Sequence, residues 1–346
     1  MRPENFMGMQ TFNNSPSPQS AGELTSHSTK PASGQVAGYP ACGRGGEREK
    51  QSFNSDQAEG LRRLLTRTST KVVAVVGARS GIGSTSVVVN LAAAWVRSGK
   101  DVLILDEHLS QNNVANTLAL KSRYDLLNVI RGDKMLGEVI MRSDDGTQIL
   151  PVARAMQTIP LLQENERDKL LDLLTQAATG ADVVLVDAAA RAGHSVCASL
   201  SGDEPLMLVL NGTASGITES YAMLKKMALH NGRRDFDIVV NKISNERKAQ
   251  TIFDNIAQVA WQNLQVRLEY MGYIPVDEKL KLATQLCRPV VKAFPGAASS
   301  IEFGELAQSW MHSKSVVDKE ASGLARVMQR LIRQTRPVNN VVSAIT

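Results

Sequence analysis

The sequence predicts an α/β fold: a mostly parallel, doubly wound sheet with helices on both faces. Two observations carry this. The apolar runs are short and unbroken rather than alternating, as strands covered on both faces require, and a segment of helical period separates most of them, as parallel crossovers require. The predicted strands are Val72–Val76, Val102–Asp106, Gln148–Pro151, Val183–Asp187, Leu206–Leu210, Asp237–Asn241 and Leu268–Ile274. The predicted helices are Thr85–Ser98, Glu164–Thr179, Ile217–His230, Ala249–Leu264, Glu278–Leu286 and Ser300–Ser313.

These elements occupy residues 70–313, and the flanks read differently. Residues 1–53 are rich in Ser, Pro, Gly, Asn and Gln without apolar periodicity, so a disordered tail is expected there. At 54–68 Ser55 and Asp56 stand where helix caps stand, ahead of a short basic amphipathic stretch. A last helix is predicted over 316–336, where Leu324, Val327, Met328, Leu331 and Ile332 make one apolar stripe. Lys319, Arg326, Arg330 and Arg333 decorate it and Pro337 ends it. Such a stripe suits a lipid interface, or the surface of its own domain or a partner.

With 43% hydrophobic residues in a chain of 346, a sizeable core is available. A net charge of +5 singles out neither membrane nor nucleic acid, and 4% aromatics argues against a base-stacking surface, so specific nucleic-acid binding is not expected. Cys42, Cys197 and Cys287 have no ligand spacing and read as thiols of a reducing compartment. The N-terminus has no apolar h-region, and no apolar run approaches the roughly 18 residues of a membrane span. A cytoplasmic protein, at most peripherally attached at the inner membrane or cell pole, is the expectation.

The chemistry is concentrated after the first strand, in GARSGIGSTS. A strand, a glycine-containing loop and a helix start form an anion site, because backbone N–H groups and the helix dipole face the ligand. On the pattern G-x-x-x-x-G-K-[ST], Gly83 and Thr85 fit, whereas Ala78 replaces the first Gly and Ser84 the lysine. Gly81 and Gly83 let the chain approach phosphate oxygens, and Ser84, Thr85 and Ser86 offer first-turn amides. Taken alone, the loop describes an ordinary βα turn equally well. Asp106 and Asp187 end two further strands, at the edge where open α/β sheets bind ligands.

The loop and its context resemble the deviant phosphate loop of the MinD/ParA family, over about residues 70–312. The resemblance implies a P-loop NTPase sheet that binds ATP or ADP with Mg2+ and forms an ATP-dependent homodimer. It places Arg79 at the family's signature lysine and Asp106 at the start of its second acidic motif, with Asn113 a few residues on. Asp187 falls at the Walker B carboxylate, sharing Mg2+ with the Thr85 hydroxyl, and Asn241 and Pro275 fall on the adenine side. Three positions depart from the pattern: Ser84 for the phosphate lysine, Arg79 for the signature lysine, and His108 for the water-positioning aspartate. Phosphoryl transfer depends on cations at the β- and γ-phosphates, which serine cannot supply. A guanidinium can grip phosphate in two places, so Arg79 is the expected compensation. Nucleotide binding with slow hydrolysis at most is the implied outcome.

Two shorter segments resemble one branch, the flagellar-number regulators of FlhG/FleN/YlxH type. Asp56, Gln57, Ala58, Leu61 and Arg62 match that branch's DQAxxLR motif, which stimulates FlhF, a signal-recognition-particle-type GTPase. ITESYAMLKKM resembles its ITDAYALIK segment. The implied partners are an FlhF-like GTPase and flagellar switch or transcription-activator proteins, with peripheral membrane contact through the C-terminal helix. The competing class is a ParA-type partition ATPase binding DNA nonspecifically. Its basic stripe is not evident in 39 basic against 34 acidic residues. A biosynthetic P-loop enzyme would need the missing lysine, and an interaction scaffold without ATPase activity is the remaining alternative.

Overall fold

The computed structural model describes residues 70–189, 204–313 and 323–334. The strands are β1 (Lys71–Gly77), β2 (Val102–Asp106), β3 (Met141–Arg142), β4 (Gln148–Pro151), β5 (Val183–Ala188), β6 (Leu206–Asn211), β7 (Asp235–Ile243) and β8 (Arg267–Pro275). They form one sheet in the order β3-β4-β2-β5-β1-β6-β7-β8. Neighbours run parallel except β3 and β4, a two-residue antiparallel edge pair too short to leave a pattern in the sequence. Every residue of β2, β5 and β6 is buried, which is why these strands read as unbroken apolar runs.

The helices are α1 (Ser84–Arg97), α2 (Val114–Thr117), α3 (Leu126–Ile130), α4 (Leu136–Val139), α5 (Ala153–Thr158), α6 (Glu164–Ala178), α7 (Ala214–His230), α8 (Glu246–Leu264), α9 (Glu278–Gln285), α10 (Val290–Ala293), α11 (Ala298–Ser313) and α12 (Gly323–Gln334). The long ones lie where the 3.6-residue period predicts them. The unpredicted α2–α5 and α10 span too few residues to display a period. Successive residues of β1 face opposite layers. Val73 and Val75 meet α1 and α11, where the Trp95 and Trp310 rings stand 5.1 Å apart. Val72, Ala74 and Val76 join the core shared by α6, α7, α8 and α12.

Helix α12 answers the question its stripe raised. Leu324, Val327, Met328, Leu331 and Ile332 are all buried, in one cluster with Leu170 and Leu174 of α6 and with β1. Arg330 pairs with Glu204 at 3.0 Å. In this structure the stripe turned toward lipid in the first reading is instead covered by the chain's own domain. The periodicity that shows an apolar face says nothing of what covers it. Truncating Leu331 to Ala should lower stability by about 2–5 kcal/mol, the range for a fully buried leucine. Urea unfolding at an unchanged midpoint would mean that the helix does not dock in solution. The tail at 1–53, the helix at 54–68, Lys319 and Pro337 lie outside the described residues.

Candidate functional site

The loop between β1 and α1 crosses the carboxyl edge of the sheet at its centre. Gly81 and Gly83 hold φ values of +84° and +103°, backbone that favours glycine. Helix α1 has no side-chain cap at its start and no acidic residue in its first turn. The amides around half-exposed Ser84, Thr85 and Ser86 therefore face outward with the positive end of the helix dipole behind them.

The loop is held from β7, two strands away. Asn241 Nδ2 donates to the Ile82 carbonyl at 2.9 Å, and its Oδ1 accepts from Lys242 N at 2.9 Å. Lys242 Nζ donates to the Gly81 carbonyl at 2.7 Å from a backbone at φ +59°. A Cβ on Gly83 would overlap Asn241 Nδ2, so that glycine is fixed by contact as well as by dihedral. Sequence reasoning found Asn241 but missed Lys242; a lysine directly after a strand-ending asparagine was the available signal. Pro275 ends β8 in register with Ile243, and Val276 N donates to Ile243 O at 2.9 Å, so Asn241 and Pro275 share this corner. A cavity of about 590 Å³ opens beside it, lined by Asn211, Thr213, Lys242, Ser244, Lys248 and Val276 among others.

On the other side of β1, Asp106 and Asp187 stand opposite each other in the β2–β5 register. Asp106 spends both oxygens on its own loop: Oδ1 accepts from His108 N at 2.9 Å and Oδ2 from Val114 N at 2.8 Å. Its direct role in this structure is to anchor that loop rather than to face a substrate. Burial, followed by the charge of Asp187, pushes the Asp106 carboxyl up to about 7. Asp187 is fully buried, and among the described residues neither of its oxygens accepts a hydrogen bond. His108 Nε2 stands 3.5 Å from Asp187 Oδ1. Burial alone would lower the imidazole pKa; the carboxylates of Asp187, Asp106 and Glu107 outweigh it and raise it. Glu107, also buried, accepts from Ala189 N at 3.1 Å. Asn113 caps α2 by accepting from Asn116 N at 2.8 Å.

Arg79 lies on its own domain, with Nε 3.3 Å from Glu219 Oε2 of α7. The two side chains are 43% and 41% exposed, so this ion pair is weak and easily exchanged. Asp56, Gln57, Leu61 and Arg62 lie outside the described residues.

These features suit a nucleotide with a hard cation. Unclaimed first-turn amides fit phosphate, and buried carboxylate oxygens without partners fit a metal. No group of three or more His, Cys, Asp or Glu among the described residues is placed to hold a metal alone. Mg2+ needs none, since it takes one or two carboxylates and completes its shell with phosphates and water.

A glycine loop at a helix start, with an aspartate ending the adjacent strand, defines a P-loop nucleotide-binding domain. Residues 73–286 match the family model for the CobQ/CobB/MinD/ParA nucleotide binding domain, and the chain belongs to that family. The antiactivator FleN of Pseudomonas aeruginosa is 32% identical over 243 residues, spanning 69% of this chain and 87% of FleN. The flagellum site-determining protein YlxH of Helicobacter pylori is 22% identical, over 62% of this chain and 72% of YlxH. Among solved structures, the septum site-determining protein MinD of Pyrococcus horikoshii, complexed with Mg-ADP, superposes with a TM-score of 0.53. That match covers 72% of this chain and 100% of MinD at 22% identity, and it establishes the fold. Among the described residues no helix is long and apolar enough to cross a membrane.

Proposed function

We propose that this chain is a cytoplasmic, nucleotide-dependent regulator of flagellar number and placement that binds ATP and ADP with Mg2+ and hydrolyses ATP slowly. The observation that carries the nucleotide reading is the uncapped start of α1, facing a buried Asp187 whose oxygens have no hydrogen-bond partner. The flagellar reading is supported by the similarity to FleN and YlxH. The amides from Gly81 to Ser86 would cradle the phosphates, and the Thr85 hydroxyl and Asp187 would hold the metal. Asn241 and Pro275 would flank the adenine. Bound Mg2+ would neutralise charge on the β- and γ-phosphates. Ser84 adds no charge there, and an imidazole at position 108 does not position water as a carboxylate does, so turnover is slow. Arg79 would leave Glu219 to meet phosphate, across the interface of an ATP-dependent dimer. Peripheral membrane contact, if made through α12, requires that helix to leave the face it covers.

Titrating the purified chain with Mg·ATP and Mg·ADP, beside a phosphate-release assay, tests the core of this reading. Affinity weaker than in lysine-bearing relatives is expected, with turnover near background. Absence of binding overturns the nucleotide reading, and turnover typical of lysine-bearing relatives overturns slow hydrolysis. Replacing Ser84 by Lys should tighten binding by about tenfold, since it restores a cation at the phosphates; no gain would show that another group already fills that role.

The partner reading rests on Asp56, Gln57, Leu61 and Arg62. A peptide of residues 51–67 should stimulate GTP hydrolysis by the cognate FlhF-like GTPase. Gln57→Ala should abolish stimulation while sparing much of the binding, and Leu61→Ala should weaken binding itself. Equal stimulation without Gln57 would remove the support for this partner. Binding to flagellar switch or transcription-activator proteins is the expected output.

A further inference from the structure

Three buried polar atoms converge at the end of β5 without a hydrogen-bond partner: Asp187 Oδ1, Asp187 Oδ2 and His108 Nε2. Buried polar atoms are nearly always satisfied, so three together mark a place made for something else. The 3.5 Å between Nε2 and Oδ1 is close to the spacing of adjacent ligands on one cation, about 3 Å in an octahedral shell. The imidazole is not there by chance of a loose loop, because Asp106 accepts from both His108 N and Val114 N. Glu107, the intervening acid, is engaged elsewhere with Ala189 N.

We propose that His108 is a metal ligand: with Asp187 it binds the nucleotide's divalent cation and shifts the site's preference from Mg2+ toward Mn2+. The inference rests on the nucleotide reading above and goes beyond it, since that reading needs only Asp187 and Thr85. Mg2+ is a hard cation that takes oxygen and keeps its waters, whereas imidazole suits the first-row transition metals. A histidine here also avoids a further carboxylate beside Asp106 and Asp187, which already oppose each other's charge. Phosphate oxygens, the Thr85 hydroxyl and water would fill the remaining positions.

Electron spin-echo modulation of the full chain loaded with Mn2+ and ADP reads the ligand directly. A nitrogen coupling is expected that changes when histidine alone is labelled with 15N, and that disappears in His108→Gln. The labelled native protein makes this measurement independent of whether the variant folds. Titrations should show Mn·ADP preferred over Mg·ADP by about tenfold, and His108→Asp should reduce that ratio to about threefold or less. Nucleotide bound with Mn2+ but without a histidine coupling overturns this inference and leaves the nucleotide reading standing. Failure of nucleotide to bind with either metal overturns both.

Discussion

Replacing Gly83 by Ala should weaken nucleotide binding by about 100-fold or more, roughly 2.7 kcal/mol, while the sheet remains folded. Gly83 stands at φ +103°, where an L side chain is strained, and its Cβ would overlap Asn241 Nδ2. Relief requires breaking the Asn241 bond to the Ile82 carbonyl or moving the amides that follow Gly83. Either response displaces the phosphate cradle. Gly81 is the internal comparison: its φ is +84°, but a Cβ there meets nothing within 4 Å. Gly81→Ala carries the dihedral strain alone, about 1–2 kcal/mol, and should cost far less affinity. Titration with a fluorescent ADP analogue, with circular dichroism as the folding check, decides the matter. Equal losses at the two glycines, or a Gly83→Ala affinity within threefold of native, would remove the loop from the binding site.

Asp187→Asn should move stability and binding in opposite directions. The carboxylate is fully buried, its oxygens have no hydrogen-bond partner, and it faces Asp106 across the β2–β5 ladder. Neutralising it removes a desolvated charge, for a gain of about 1–3 kcal/mol, or a melting midpoint raised by roughly 2–8 °C at this size. The same change removes a metal ligand and should abolish metal-dependent nucleotide binding. A melting midpoint that falls in the metal-free protein would show that the carboxylate is already satisfied, and would count against a metal role.

Much of this was legible in the sequence, for a physical reason in each case. β2, β5 and β6 are buried on both faces, so their apolar runs are unambiguous, and Asp106 and Asp187 interrupt them where burial meets the ligand edge. What stayed hidden depends on strand order and on loop geometry. Lys242 reaches Gly81 only because β7 lies two places from β1, a contact between residues 161 apart in sequence. Glu219 meets Arg79 because α7 starts beside the same edge. Asp106 was read as a catalytic acid from its place at a strand end; the geometry that turns both oxygens onto its own loop arises from residues up to eight positions downstream. The stripe of α12 announced an apolar face without naming its cover.

The anchoring of α1 decides which half of the site is able to move. Trp95 donates from its indole to Ala307 O of α11 at 3.0 Å, and Asn90 Oδ1 accepts from Val290 N of α10 at 2.6 Å. The helix that carries the phosphate cradle is thus bolted to two others along its length and behaves as a stator. Arg79 is tied by one exposed ion pair, and the segment after β2 hangs on the carboxylate of Asp106. Any difference in shape between the ATP- and ADP-bound protein therefore has to be taken up on that side, by Arg79 and the His108 loop, while α1 keeps still.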